Sequence, residues 1–222
     1  MKDFIITKKT LTFFICFFYL ILSLTITFET FASQKKLIIA HRGASGYLPE
    51  HTLASATLAF GMKADFLELD LVMTKDGHLI VMHDLTLNKT TNVEEIFPGK
   101  ANEKGEYNVI DFRLNEIKML NVHERESRYG SRAAFPKRFP IKHQLFKVPT
   151  LDEIINLIKG LSKSRGYTMG LYIEIKSVKF HRKRNLDPVK ELLKNLDDHG
   201  YKDDSDPIFI QSFDSDVLKE LR

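Results

Sequence analysis

From residue 36 onward, short apolar runs alternate with stretches whose apolar residues recur at helical spacing, the pattern of β/α units around a mainly parallel sheet. The runs predict strands at 37–40, 66–72, 79–82, 170–175 and 208–212. Helices are predicted at 52–60, 151–161, 187–199 and 214–222, the second entered through Pro149 and Thr150, a helix entry and N-cap. Gly61 and Gly200 stand where two of these helices should stop. Between Asp84 and Lys147 the rhythm fails. Pro98, Gly99, Gly105, Gly130, Pro136 and Pro140 interrupt it, and only Arg113 to Leu120 looks helical. So long a segment inside one domain is usually functional or disordered. It starts directly after His83 and Asp84, so it is expected either to cap the rim where they lie or to be a surface insertion.

The first residues follow a different pattern. Lys2, Lys8 and Lys9 precede a mostly apolar run from Leu11 to Phe28, and Thr30-Phe31-Ala32-Ser33 then offers small residues at cleavage spacing. The expected organisation is a secretory signal peptide over 1–32, cut after Ala32, and one domain over 33–222 with an insertion at about 85–147. The run is long for a signal peptide, so the alternative is an uncleaved membrane anchor. Cys16, the single cysteine, lies inside the run rather than at its end, which argues against lipid attachment. An exported chain without it holds no disulfide, although a periplasmic compartment would permit one.

Composition adds little beyond an ordinary globular chain: 43% hydrophobic and 28% charged residues over 222. The net charge of +4 is spread among acids without a basic stripe, which argues against a nucleic-acid partner.

The chemistry gathers at strand ends. Leu37-Ile-Ile-Ala-His41-Arg42-Gly43 delivers an acid/base group, a permanent cation and a flexible turn to one rim, and Leu79-Ile-Val-Met-His83-Asp84 delivers a second histidine. Between them, Glu68 and Asp70 are two apart on a strand and share a face, with Leu67, Leu69 and Leu71 behind. Two shielded carboxylates repel, and a hard cation such as Mg²⁺ or Ca²⁺ relieves that repulsion. Glu174 adds a third carboxylate, and Lys176, two residues on, projects to the same side. A cation flanked by Arg42 and Lys176 suits an anion gaining charge, most simply a phosphate ester. His41 and His83 supply the proton acceptor and donor that ester cleavage requires. Asp84 is placed to orient an imidazole, and Glu50 to act as a further ligand or behind the ligands. The other histidines, His51 among them, form no comparable set. Gly43 to Gly46 lacks dinucleotide-loop spacing, and Ser45 and Ser212 lack a nucleophile-elbow context.

Five ordered motifs, His41-Arg-Gly-Ala-Ser-Gly-Tyr-Leu-Pro-Glu-His-Thr52, Glu68-Leu-Asp-Leu-Val-Met-Thr-Lys-Asp76, His83-Asp84, Glu174-Ile-Lys176 and Gln211-Ser-Phe213, resemble the glycerophosphodiester phosphodiesterase family. Pro49-Glu-His-Thr52 and the long insertion resemble its periplasmic branch. The resemblance implies an α/β fold of the TIM (β/α)8-barrel type with its site on the C-terminal rim, here incomplete at about five of eight units. It implies one Ca²⁺ or Mg²⁺ held by Glu68, Asp70 and Glu174, His41 and His83 as acid and base, and Arg42 and Lys176 on the phosphate. The implied substrate is a small glycerophosphodiester such as glycerophosphocholine, cleaved to sn-glycerol 3-phosphate and an alcohol. Membrane contact would be confined to an uncleaved N-terminal segment. The alternatives are an inactive truncated remnant or binding module, and a phospholipase D-like enzyme acting on choline phospholipids.

Overall fold

The computed structural model describes residues 17–18, 36–127, 130–139 and 145–221. The predicted signal segment and its cleavage site therefore lie outside the described residues, apart from the helical pair Phe17 and Phe18. Leu37–Arg222 forms a compact unit of its own. In chain order it contains β1 (Ile39–Ala40), α1 (Leu53–Gly61), β2 (Phe66–Met73), β3 (Leu79–Val81), α2 (Val93–Ile96), a 3-10 turn (Val109–Asp111), α3 (Leu114–Met119), β4 (Glu126–Ser127), β5 (Gly130–Ala133), α4 (Leu151–Arg165), β6 (Gly170–Ile175), α5 (Val178–Arg182), α6 (Pro188–Asp198), β7 (Ile208–Gln211) and α7 (Ser215–Glu220).

The helices begin where their capping chemistry dictates. Thr52 accepts from the Ser55 N–H at 3.1 Å, Thr150 and Glu153 form a reciprocal capping box, and Pro188 opens α6 behind the Asp187 cap.

Four strands are parallel in the order β1-β2-β6-β7, and among the described residues this sheet stays open. Leu67, Leu69, Leu71 and Met73 of β2, with Leu171, Ile173 and Ile175 of β6, face a core shared with α1, α4 and α6. The opposite face carries Phe66, Glu68, Asp70 and Val72. Register aligns Glu68 with Tyr172, and Asp70 with Glu174, which in turn faces Gln211. Two carboxylates on adjacent strands thus stand side by side. Below them the face closes through Gly170: a Cβ there would lie 2.3 Å from the Phe66 ring, which packs on Phe209 at 5.0 Å between centroids.

β3 departs from the parallel pattern. It pairs antiparallel with the far end of β2, Leu71 opposite Val81 and Met73 opposite Leu79. Because Leu71 also pairs with Ile175, β3 lies on the edge of β2 opposite β6. It is therefore the return arm of a hairpin, too short and too fully buried for its direction to show in its residues.

The insertion is neither a loose loop nor a simple cap. Leu87, Val93, Val109, Phe112, Ile117, Leu120 and Val122 pack against Val72, Ile80 and Met82 as a second apolar core. Its ends meet: Ile80 bridges to Thr150, and the Val81 N–H donates to the Pro149 carbonyl at 2.9 Å. Pro140, one of the predicted breakers, lies outside the described residues.

Candidate functional site

β1 ends in a turn built from two consecutive left-handed residues, Arg42 at φ 59° and Gly43 at φ 77°. The second must be glycine, because a Cβ would lie 2.4 Å from Ser55 Oγ. The first is strained, and such strain persists where surroundings over-determine it. Here the Arg42 N–H donates to Glu68 Oε2 at 2.6 Å, and the guanidinium donates through Nη1 to Glu50 Oε1 at 3.2 Å. Its Nε stands 3.6 Å from Asp70 Oδ2.

The antiparallel return of β3 brings His83 level with these groups. The Met82 N–H donates to the Asp70 carbonyl at 2.9 Å, so the next residue arrives beside the middle of β2. His83 Nδ1 lies 2.6 Å from Asp84 Oδ1. Burial opposes ionisation of Asp84, but hydrogen bonds from His83 and Arg125 hold it well below the usual carboxylate range. An ionised carboxylate only accepts, so His83 Nδ1 carries the proton, which in the neutral ring leaves the lone pair on Nε2.

Just past the end of β6, Lys176 Nζ donates to Glu174 Oε1 at 2.6 Å and stands 3.3 Å from Asp70 Oδ1, while Gln211 Nε2 donates to Glu174 Oε2 at 3.0 Å. The lysine is burdened by burial, yet Glu174 and Asp70 raise its pKa. Burial pushes Glu68 up to about 7, helped by the charge of Asp70. Asp70 is also disfavoured by burial, but His51 and Lys176 hold it well below the usual range. His41 falls below its ordinary value through burial and the neighbouring Arg42.

The seven residues predicted for metal, phosphate and proton transfer, His41, Arg42, Glu68, Asp70, His83, Glu174 and Lys176, line one cleft of about 370 Å³. Tyr172, Gln211 and Phe213 share it. Glu50 and Asp84 stand behind, Glu50 held ionised at about 2 because its bonds to Arg125 outweigh its burial.

Sequence reasoning missed two groups. His51, read as outside any set, is buried with Nε2 2.8 Å from Asp70 Oδ2. Its signal was Pro49-Glu50-His51-Thr52, where the chain takes a left-handed step at His51, φ 58°, before α1. Arg125 comes from the insertion and joins Glu50 to Asp84. Nothing in its sequence neighbourhood marked it.

A cation fits this site. Among the described residues the buried Asp70 Oδ1 has no hydrogen-bond partner and only an ion-pair contact, 3.3 Å from Lys176 Nζ, and that ammonium group also reaches Glu174 Oε1, so a positive charge already bridges the two carboxylates. His51, Glu68 and Asp70 also place one donor atom each within 4.8 Å of one another, a group able to hold a metal ion. Because His51 Nε2 is engaged with an ionised Asp70, the imidazole is better suited to orienting that carboxylate than to replacing an oxygen ligand.

An open parallel sheet with carboxylates, cations and two histidines gathered at its strand ends defines a site of the TIM-barrel type. The Glycerophosphoryl diester phosphodiesterase family matches residues 41–222, and the chain belongs to that family. It is 46% identical over 196 residues to a glycerophosphodiester phosphodiesterase of Haemophilus influenzae, covering 87% of this chain and 54% of that protein. It is 36% identical over 192 residues to one of Treponema pallidum, covering 86% and 54%. The chain thus spans about half the length of these curated relatives. Among solved structures it is similar to a putative glycerophosphoryl diester phosphodiesterase of Silicibacter pomeroyi, with TM-score 0.66, 27% identity, and coverage of 84% of this chain and 60% of that one. It is also similar to a phosphodiesterase of Oleispira antarctica in complex with the product sn-glycerol-3-phosphate, with TM-score 0.58, 25% identity, and coverage of 83% and 60%.

Proposed function

We propose that this chain hydrolyses glycerophosphodiesters to sn-glycerol 3-phosphate and an alcohol, using a divalent cation, paired histidines and two phosphate-binding cations. The observation that carries the reading is the meeting of all seven predicted residues in one cleft. Glu68, Asp70 and Glu174 would hold the ion, Ca²⁺ or Mg²⁺ by the hardness of an all-oxygen set. When bound, it supplies charge neutralisation to the phosphate oxygens.

Arg42 and Lys176 bind the remaining phosphate charge, and the backbone strain at Arg42 fixes its direction. His83, with its Nδ1 proton committed to Asp84, accepts a proton at Nε2 from the glycerol hydroxyl next to the phosphodiester. That oxygen bonds to phosphorus as the bond to the alcohol breaks, and His41 gives its proton to the departing oxygen. A cyclic phosphate results. Water then attacks phosphorus and loses its proton to His41, while His83 returns its proton to the ring oxygen that leaves. His41 suits the donor role because its lowered pKa makes the imidazolium the stronger acid, and a bound phosphate anion favours its protonation. Residues 1–32 are read as an export signal and 33–222 as the enzyme domain, which makes the periplasm the expected compartment.

The test is release of sn-glycerol 3-phosphate from glycerophosphocholine by the purified chain, with Ca²⁺, Mg²⁺ or EDTA. Turnover lost in EDTA, and lost in His41→Ala at an unchanged melting temperature, supports the proposal. A folded chain without turnover refutes it, and cleavage of choline phospholipids instead assigns the phospholipase D-like activity.

A further inference from the structure

We infer that Arg125 is a positioning residue of the site, an assignment that rests on the function proposed above. It comes from the insertion, 75 residues from Glu50 and 41 from Asp84, and its side chain is only 13% exposed. Its Nε and Nη2 donate to the two oxygens of Glu50 at 2.9 and 2.6 Å. Its Nη1 donates to Asp84 Oδ2 at 2.6 Å. Each carboxylate spends its remaining capacity on a residue in the cleft: Glu50 on the Arg42 guanidinium, Asp84 on His83 Nδ1. One planar cation therefore links the phosphate-binding arginine to the proton-accepting histidine. Without it, the buried Glu50 and the half-buried Asp84 would lose the cation they share, leaving Glu50 only the 3.2 Å contact to Arg42 and Asp84 only His83, and neither partner would have a fixed reference.

Lysine cannot do this. A point charge reaches one carboxylate well, whereas the guanidinium fork bonds both oxygens of one and an oxygen of the other. The backbone behind Arg125 is anchored as well. Its carbonyl accepts from the Ala134 N–H at 2.8 Å, and the Glu126 N–H donates to the Lys89 carbonyl at 2.8 Å, so the β4–β5 hairpin sets its direction. Among the described residues lining the cleft Arg125 does not appear, so it acts through its neighbours.

The experiment compares the wild-type chain with Arg125→Ala and Arg125→Lys by steady-state kinetics, thermal unfolding and nitrogen-15 NMR of the histidine rings. Arg125→Ala should lower kcat by roughly 10- to 100-fold, the usual cost of losing a group that orients a site residue. Guanidinium at non-denaturing concentration should restore part of that loss, which a merely structural role would not allow. His83 should be protonated at Nδ1 in the wild type and a mixture of tautomers in Arg125→Ala, with Arg125→Lys intermediate in both readouts. Should Arg125→Ala fail to fold, Arg125→Lys carries the comparison. The tautomer readout needs no turnover, so an inert wild type whose His83 pattern still depends on Arg125 refutes the proposed function and keeps the positioning role. An unchanged His83 pattern, or an unchanged kcat in a turning-over chain, overturns it.

Discussion

His181 on α5 is fully buried, and neither ring nitrogen has a hydrogen-bond partner among the described residues. Burial takes its imidazolium out of water and Arg184 adds positive charge, so its pKa falls from 6.5 to about 4. Between these values the unfolded chain binds a proton that the folded chain does not, and stability must drop as pH falls through the window. A displacement of about 2.5 units at 1.36 kcal/mol each gives about 3 kcal/mol in full, of which about 2 kcal/mol is lost by pH 5. Glu68 works in the opposite sense. Its folded pKa is raised to about 7, so it binds its proton more tightly in the folded chain and costs stability as pH rises. The net slope of the wild type therefore sums opposing effects, and the His181 contribution must be read against a variant. His181→Leu keeps similar bulk and removes the titration. Urea unfolding at pH 7.5 and pH 5, with the ion chelated, should show the wild type losing about 2 kcal/mol more than the variant between the two pH values. Equal losses would refute the argument, because they would place the proton elsewhere or give the ring a partner.

Three further outcomes follow from the packing. Glu68→Gln should stabilise the metal-free chain at pH 8 by about 3 kcal/mol in chemical denaturation, since it removes a buried carboxylate that must ionise there, and calorimetry should find its Ca²⁺ binding weakened. Gly170→Ala should destabilise by about 1–3 kcal/mol in a thermal melt, because the new methyl group must displace both the Phe66 ring and the Pro207 carbonyl, 2.6 Å from its position. Phe112→Ala, at a side chain with no exposure that packs edge-on to Phe97 at 5.4 Å, should cost about 3–5 kcal/mol and open the insertion to limited proteolysis before the sheet.

Much of this architecture was legible because it is locally determined. β2, β6 and β7 are mainly apolar stretches, Thr150 caps its helix where expected, Glu68 and Asp70 share a face by strand alternation, and Lys176, just past β6, falls on the side of Glu174 by the same two-residue step. What was hidden depends on contacts distant in the chain. The direction of β3 is decided by its partner, not by Leu79, Ile80 or Val81 themselves. His51 reaches Asp70 only because a non-glycine residue accepts a left-handed backbone there, and Arg125 was one charged residue among many until the insertion formed its own core.

The joined ends of the insertion let the long excursion between β3 and α4 vary in length at little entropic cost. Its neck is held shut by the bridge of Ile80 to Thr150 and the bond of Val81 to Pro149, and lengthening a closed loop costs only about 0.6 kcal/mol per doubling. Evolution can thus enlarge or trim this segment without re-registering the strands, provided it still covers Val72, Ile80 and Met82 and one of its side chains still reaches Glu50 and Asp84.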